Sequence, residues 1–258
     1  MQFDPEYARA AVKKFGQRVV REQINLDRIT EKAADALTRS SEAKPEQPEV
    51  PQTSISDDWL NAFEREAGQK STEEMQAMFA KVLAGEIQRP SAYSIKSVRL
   101  LGSLDQRTAN LFKRFCSMCI ALQVHDHIVD ARVPSLGSNA ASNGLQRFGL
   151  TFDSLNHLQE YGLIISDYNS WADYSPSFGS ADQPVAIPFT FGHEMWGLVK
   201  SDEFQGNQLK VHGVALTRAG KELIRVVSFE AEPEFLADLS SWFEAQKVRM
   251  VRVRASET

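Results

Sequence analysis

Helix start and stop signals follow one another at short intervals in residues 56–123, and they leave little room for anything but short helices. Ser71 opens a Ser-Thr-Glu-Glu capping box, and Ser94 and Asp105 each precede a further run of apolar residues at helical spacing. Pro90 ends the helix before it, because proline lacks the backbone N–H that a helix needs. The pattern predicts a bundle of four helices, the last one ending near residue 122.

A longer helix is predicted in residues 1–38, with Asp4 as its cap and Pro5 at its first position. Its apolar residues form a stripe: Tyr7, Ala11, Phe15, Val19, Ile24, Ile29, Ala33 and Leu37. This stripe can pack on its own domain or on a partner chain, and the second interpretation predicts a homo-oligomer. Residues 39–55 carry a proline at every third position between acidic residues, which predicts an extended linker that ties the helix only loosely.

Residues 124–258 mix helical and strand patterns. Thr151 caps a predicted helix that ends at Gly162 and leads into a short strand. Three strand-like runs follow, and then Thr217 opens another helix through a Leu-Thr-x-x-Gly turn. We expect a winged-helix-like domain with a small antiparallel β-sheet, and therefore a mainly α chain of the α+β class.

Composition excludes several classes of protein. The 258 residues have a net charge of −5 and a pI of about 5.6, so no polybasic surface for nucleic acid or membrane is indicated. No apolar run reaches the roughly 18 residues of a membrane span, and the first residues lack a signal-peptide pattern. Two cysteines are too few for a disulfide framework. The chain is expected in the cytoplasm, away from membranes.

Four residues have the types and local spacing of zinc ligands: Cys116, Cys119, His125 and His127. The competing interpretation is that the cysteines are small core residues of a helix, because Phe115 and Met118 lie beside them. We adopt the second interpretation and expect no metal or cofactor. No phosphate-binding glycine loop and no nucleophile elbow is present. We therefore predict no catalytic residues and favour a protein that is not an enzyme.

One loop is rich in aromatic residues and is the predicted interaction surface: Tyr168, Trp171, Tyr174 and Phe178. It could equally fold down over the core. A winged helix would also suggest DNA binding, but the helix at residues 151–161 contains no lysine or arginine. The one basic cluster lies in the C-terminal tail: Lys247, Arg249, Arg252 and Arg254. Nucleic acid is therefore the alternative partner and protein the preferred one.

The most distinctive stretch combines Asp58-Trp59, Phe63, Met75-Gln76, Phe79-Ala80, Leu83-Ala84-Gly85-Glu86-Ile87, Pro90, Ser94 and Leu100. It resembles a bacterial family, domain of unknown function 2806, and the likeness extends from about Asp57 to Trp242. Phe79 stands where that family's pattern has tryptophan. A shorter likeness of the Leu-Ala-Gly-Glu helix to abortive-infection alpha proteins implies a role in phage defence. Neither family supplies an activity or site residues.

Within that stretch, Trp59, Phe79, Leu83 and Pro90 are interpreted as core and helix-stop residues. Gly85 allows another backbone to approach, so that Glu86 can accept hydrogen bonds from the N–H groups that open a neighbouring helix. The competing role for Glu86 is that of a general base. The sequence as a whole favours a bacterial protein-interaction scaffold, with a DNA-binding regulator or a metal-dependent enzyme as alternatives.

Overall fold

The chain folds into two compact units, Met1–Ser103 and Leu104–Thr258, in the computed structural model. The residues that the structure describes are 5–43, 54–125, 127–139, 141–180 and 185–253, with side chains described only to residue 40 in the first of these ranges. Most of the predicted linker therefore lies outside the described residues. The helix expected to close the bundle belongs instead to the second unit, so the domain boundary predicted at residue 123 falls too late.

The first unit contains four helices: α1 (Pro5–Ala43), α2 (Asp57–Ala67), α3 (Glu73–Gln88) and α4 (Ile95–Ser103). Ser56 caps α2 by accepting a hydrogen bond from the N–H of Trp59, and Ser94 accepts one from the N–H of Ser97. The predicted capping box at Ser71 is wrong by one residue. Thr72 occupies the N-cap of α3, and its side chain makes no capping hydrogen bond.

The second half of α1 is an integral part of this unit. Ile29 and Ala33 are buried against α3, and the buried Asn25 donates from Nδ2 to the carbonyl oxygen of Gly68 at 2.8 Å. The helix also continues to Ala43, beyond the predicted end of the N-terminal helix at residue 38. The expectation of a loosely tied helix is therefore wrong for this half.

The core of the first unit is aromatic. Trp59 stacks on Phe63 with ring centroids 5.1 Å apart, and Phe63 meets the edge of Phe79 at 5.7 Å. All three are buried. A helical bundle of this size needs such large side chains, because each aromatic ring removes roughly 150–250 Å² from water.

The second unit alternates helices and strands. Its helices are α5 (Gln106–Ser117), α6 (Phe152–Glu160), α7 (Arg218–Leu223) and α8 (Pro233–Ala245). Its strands are β1 (Ile120–Val124), β2 (His127–Pro134), β3 (Ile164–Ile165), β4 (Trp171–Asp173), β5 (Phe178–Gly179), β6 (Phe189–Phe191), β7 (Glu194–Lys200), β8 (Lys210–Leu216) and β9 (Val248–Arg252). Asp105, Thr151 and Thr217 cap α5, α6 and α7 as the sequence predicted.

These strands form one sheet in the order β3-β8-β2-β1-β6-β7-β5, with β4 beside β8 and β9 beside β7. All pairs are antiparallel except β5 with β7. The expectation of a small sheet is wrong, because residues 120–134 and 248–252 also join it. Helix α5 stops at Ser117, and the apolar run that follows it pairs with β2 and β6 instead of continuing the helix.

Two groups of helices cover this sheet. Phe235 and Phe243 of α8 pack on Phe191 and Phe189 of β6, with ring centroids about 6 Å apart. Near the other end, the turn after α6 meets the start of α7, where the hydroxyl of Thr217 donates to the carbonyl oxygen of Gly162 at 2.6 Å. Gly162 has φ of +76°, the left-handed conformation that the sequence pattern requires there. None of the helices in the described ranges is long and apolar enough to cross a membrane.

Candidate functional site

A buried ion pair joins two residues of β2. Arg132 donates from Nε and Nη2 to the two carboxylate oxygens of Asp130, each at 2.7 Å. Its Nη1 donates to the carbonyl oxygens of Ser170 and Val211, both at 3.0 Å, and the hydroxyl of Tyr174 donates to Asp130 at 3.0 Å. The cluster therefore joins β2 to β8 and to the segments on either side of β4.

The electrostatics of the cluster agree with that structural role. Burial alone would lower the pKa of Arg132, but its hydrogen bonds to the Asp130 carboxylate raise it. Burial also raises the pKa of Tyr174 well above its usual value, and the Asp130 charge adds to the effect. Both groups therefore keep the protonation state that the ion pair needs. This pair was not predicted from the sequence, although Asp and Arg two positions apart in a strand lie on one face.

The zinc-ligand types do not converge. Cys116 and Cys119 are buried in the core, whereas His125 and His127 are exposed at the turn between β1 and β2. The five residues of β1 lie between the two pairs, which is roughly 16 Å of strand. Within the described part of the chain, no group of three or more potential ligands could hold a metal ion. Asp126 lies outside the described residues.

Burial also makes the thiols unreactive. It raises the pKa of Cys116 and of Cys119 well above the usual value, and the charge of Asp130 adds to the effect at Cys119. We expect the folded protein to resist alkylation by iodoacetamide at pH 8, with both thiols reacting together only when the second unit opens. Mass spectrometry after timed alkylation, with and without urea, measures this. Rapid modification of either cysteine in the folded chain would contradict it.

The four aromatic residues of the predicted interaction surface separate into two groups. Tyr174 is fully buried. Tyr168 is also buried, and its hydroxyl donates to the side chain of Asn143. Burial raises the pKa of Tyr168 to about 12. Phe178 is half-buried. Trp171 is 44% exposed and lies 4.3 Å beneath the Lys210 ammonium. The loop thus folds over the core, and Trp171 is the one of the four that is largely open to solvent.

The basic cluster of the tail is partly neutralised. Lys247 forms an ion pair with Glu203 at 2.5 Å, and Arg252 pairs with Glu194 at 3.1 Å while lying over the ring of Trp196. Arg249 is exposed on β9, and Arg254 lies outside the described residues. A surface that binds nucleic acid needs cations free to meet phosphates, and this one commits two of its cations to carboxylates.

Glu86 accepts hydrogen bonds from backbone N–H groups just before a neighbouring helix, as the sequence predicted. One carboxylate oxygen accepts from the N–H of Ser91 at 2.6 Å and the other from the N–H of Tyr93 at 2.9 Å, in the turn before α4. Gly85 makes room for the ring of Tyr93, not for a backbone, since a Cβ at Gly85 would lie 2.8 Å from that ring. The residue is buried and both of its carboxylate oxygens accept backbone hydrogen bonds, so it has the environment of a structural acid.

One shallow cleft in the second unit has a volume of about 610 Å³. Helix α5 supplies Lys113 and Arg114, and the segment before α8 supplies Glu230 and Glu232. Arg114 also donates to the carbonyl oxygen of Phe148 at 2.9 Å. Opposite charges therefore line this cleft.

The first half of α1 presents a surface of another kind, which we call the docking segment (residues 5–21). Tyr7 is 76% exposed and Phe15 60% exposed, and no side chain of α1 is buried before Asn25. Residues three or four apart share a helix face, so Tyr7, Ala11, Phe15 and Val19 continue the stripe that Asn25, Ile29 and Ala33 bury against α3. The segment also holds five cations and one anion: Arg9, Lys13, Lys14, Arg18, Arg21 and Glu6.

A complementary surface lies in the second unit. Residues 148–199 contain six acidic residues and no lysine or arginine. Among the exposed apolar residues of this stretch, Phe152 at 41% and Ile165 at 49% lie at the start of α6 and in the adjoining edge strand β3. With three exposed acids they form what we call the acidic patch: Phe152, Asp153, Glu160, Ile165 and Asp167. The nitrogen of Ser166 donates to Gln159 at 2.7 Å, which holds the two elements together.

Comparison with known proteins adds one finding. The model of a family described as "Protein of unknown function (DUF2806)" matches residues 9–240. No curated protein and no solved structure matches the chain significantly. The match includes most of the docking segment and all of the acidic patch.

Proposed function

The chain belongs to the DUF2806 family, and from its surface we propose that it is an interaction protein whose docking element is the first half of α1. The observation that carries this proposal is the exposed apolar stripe of residues 5–21. Exposed apolar residues arranged on one helix face, beside the same stripe buried in the second half, are typical of a helix that meets a partner.

The alternative explanation for this stripe is an ordinary solvent-exposed helix. Such a helix would carry polar residues on every face that its own domain leaves uncovered. Here the uncovered face carries Tyr7, Phe15 and Val19, and fully burying residues of this kind contributes about 1.5–3 kcal/mol each. A partner is therefore the favoured explanation of the pattern.

We propose that the setting is the bacterial cytoplasm, in a stress or phage-defence system, and that the chain forms an oligomer through α1. Free, buried cysteines suit a reducing compartment. The link to phage defence rests on the resemblance of residues 83–86 to abortive-infection proteins. Challenge of a bacterial host with phage, with and without the gene, tests the setting separately from the docking surface.

Substitution Phe15→Glu tests the docking element. We expect amide hydrogen exchange in residues 5–21 of the full chain to slow at least tenfold when the protein is concentrated or mixed with an extract of its host cells. The variant should lose this protection, because a charge in the middle of the stripe cannot be buried without a large cost. Its unfolding free energy should stay within about 0.5 kcal/mol of the wild type, since Phe15 is not part of the core.

The matched control is Gln17→Glu, which makes the same change in charge at an exposed position away from the stripe. It should keep the protection. If residues 5–21 exchange equally fast in the wild type under every condition, the docking element has no partner and the proposal is wrong.

A second proposal, a winged-helix reader of duplex DNA, is favoured by one observation. Helix α7 begins against the turn that leaves α6, through the contact of Thr217 with Gly162. Against it stands the absence of lysine and arginine from residues 148–199. Salt-dependent binding of a DNA duplex that is lost in Arg249→Ala would favour this reader over the interaction protein.

A further inference from the structure

We propose that the partner of the docking segment is the acidic patch of a second copy of the same chain. This inference rests on the proposed function and names its partner. It states that the apolar stripe of one copy covers Phe152 and Ile165 of the other, while cations of the helix meet Asp153, Glu160 and Asp167.

Charge identifies the partner. The docking segment has a net charge of +4 in residues 5–21, whereas the acidic patch has three exposed carboxylates, those of Asp153, Glu160 and Asp167. A contact between two docking segments would bring like charges together, which opposes association. A contact between a docking segment and an acidic patch brings together opposite charges as well as exposed apolar residues.

The spacing of the charges also agrees. Lys14 and Arg21 lie seven and fourteen residues after Tyr7, so they follow one edge of the stripe. Asp153 and Glu160 are likewise seven residues apart on α6, where both are exposed. At 1.5 Å per residue both pairs span about 10.5 Å, so two helices lying side by side can form both ion pairs at once.

Size decides the form of the assembly. A 17-residue helical segment is about 25 Å long and, with its side chains, about 10 Å wide, so it covers on the order of 250 Å² of its partner. One such contact therefore buries on the order of 500 Å² over both partners, well below the roughly 1,200 Å² of a stable interface, whereas two contacts bury about 1,000 Å². We therefore place it in a two-fold dimer, in which each copy gives its docking segment to the other and the contact occurs twice.

An anionic membrane is the strongest competing occupant, because a basic amphipathic helix can lie on a bilayer surface. The stripe is built from alanine, valine and two aromatic residues, and it lacks the tryptophan and leucine that favour the bilayer interface. A membrane would also leave the apolar and acidic residues of the patch unexplained. The second copy accounts for both surfaces.

The test is the mass of the full chain in solution at tens of micromolar protein and low salt, measured by light scattering after gel filtration. We expect twice the chain mass of 28.9 kDa for the wild type, and the single chain mass at 1 M salt. The helix variant Lys14→Glu/Arg21→Glu and the patch variant Asp153→Lys/Glu160→Lys should each be monomeric alone. An equimolar mixture of the two should restore the dimer, because every contact then pairs opposite charges again.

The control variant Arg9→Glu/Lys13→Glu makes the same change in net charge on the far side of the stripe and should remain dimeric. Circular dichroism of each variant should match the wild type, which shows that loss of the dimer is not loss of the fold. Rescue by mixing is independent evidence, since two unfolded variants cannot restore each other.

Other results would overturn this inference while leaving the proposed function intact. A patch variant that remains dimeric alone would mean that the helices pair with each other. A wild type that is monomeric at every concentration, yet shows protection of residues 5–21 with cell extract or with vesicles of anionic lipid, would assign the segment to another partner. Absence of protection under all these conditions would overturn the proposed function as well.

Discussion

Asp130→Ala is expected to destabilise the second unit by about 3–5 kcal/mol, the largest effect that we predict for a single polar side chain. The substitution leaves the guanidinium of Arg132 buried with two backbone carbonyls and no negative charge. It also removes the acceptor of the Tyr174 hydroxyl. Urea unfolding of the full chain, followed by hydrogen exchange in residues 104–253, measures the loss in the unit concerned.

Two further variants separate the contribution of the ion pair from the cost of burying an unpaired charge. Arg132→Met alone leaves the Asp130 carboxylate with the Tyr174 hydroxyl and should also be destabilised. The double variant Asp130→Ala/Arg132→Met should be more stable than Asp130→Ala, because no buried charge then lacks a partner. A double variant whose loss equals the sum of the two single losses would show that the two side chains act independently, contrary to the geometry.

Glu86→Ala is expected to destabilise the first unit by about 2–4 kcal/mol. Its carboxylate accepts the N–H groups of Ser91, which is exposed, and of Tyr93, which is buried. A buried donor left without an acceptor costs about 1–3 kcal/mol, and a hydrogen bond to a charged group contributes about 1.5–3 kcal/mol. The same turn supplies the carbonyl oxygen of Tyr93 that accepts from Nε1 of Trp59 at 2.8 Å. A change in the fluorescence of Trp59 at the unfolding midpoint, with the other tryptophans replaced by phenylalanine, reports on this unit.

Glu86→Gln is the matched variant, because its one amide oxygen can keep one of the two hydrogen bonds. It should lose less than Glu86→Ala. Equal stability of both variants and the wild type would show that the turn before α4 holds itself without the carboxylate. The role of Glu86 in the family pattern would then need an explanation other than structure.

Local signals made the helices of this chain predictable. The caps at Ser94, Asp105, Thr151 and Thr217 depend only on residues two or three positions away, and the structure confirms them. The glycine at position 162 was likewise predictable from the sequence. The residue after a helix often has a left-handed backbone conformation, which glycine adopts without steric cost. Such signals carry their information within one turn of chain.

Pairing between distant strands was not predictable in the same way. The apolar residues Met118, Ile120 and Leu122 fit a helix as well as a strand, and only the pairing of β1 with β2 and β6 decides between them. The size of the sheet was missed for the same reason. Burial of the Asp130 and Arg132 pair depends on Ser170, Tyr174 and Val211, which come from three places along the chain.

The same contrast between local and long-range signals applies to the candidate site. The stripe on α1 was predictable from the spacing of its apolar residues. The sequence left open whether the stripe packs on its own domain or on a partner chain. In the structure the stripe is buried within its own unit at Asn25, Ile29 and Ala33, and its earlier residues are exposed. For the aromatic loop, the sequence showed which residue types occur together but not which of them are buried. Tyr168 and Tyr174 are buried with hydrogen-bond partners far along the chain.

The division of α1 has a consequence for how the chain can change. Substitutions after Asn25 alter the core and are constrained by the stability of the fold. Those in residues 5–21 touch no core residue, so they can accumulate at little thermodynamic cost. One continuous helix thus combines a half whose substitutions are limited by the stability of its own unit with a half whose substitutions that stability leaves free.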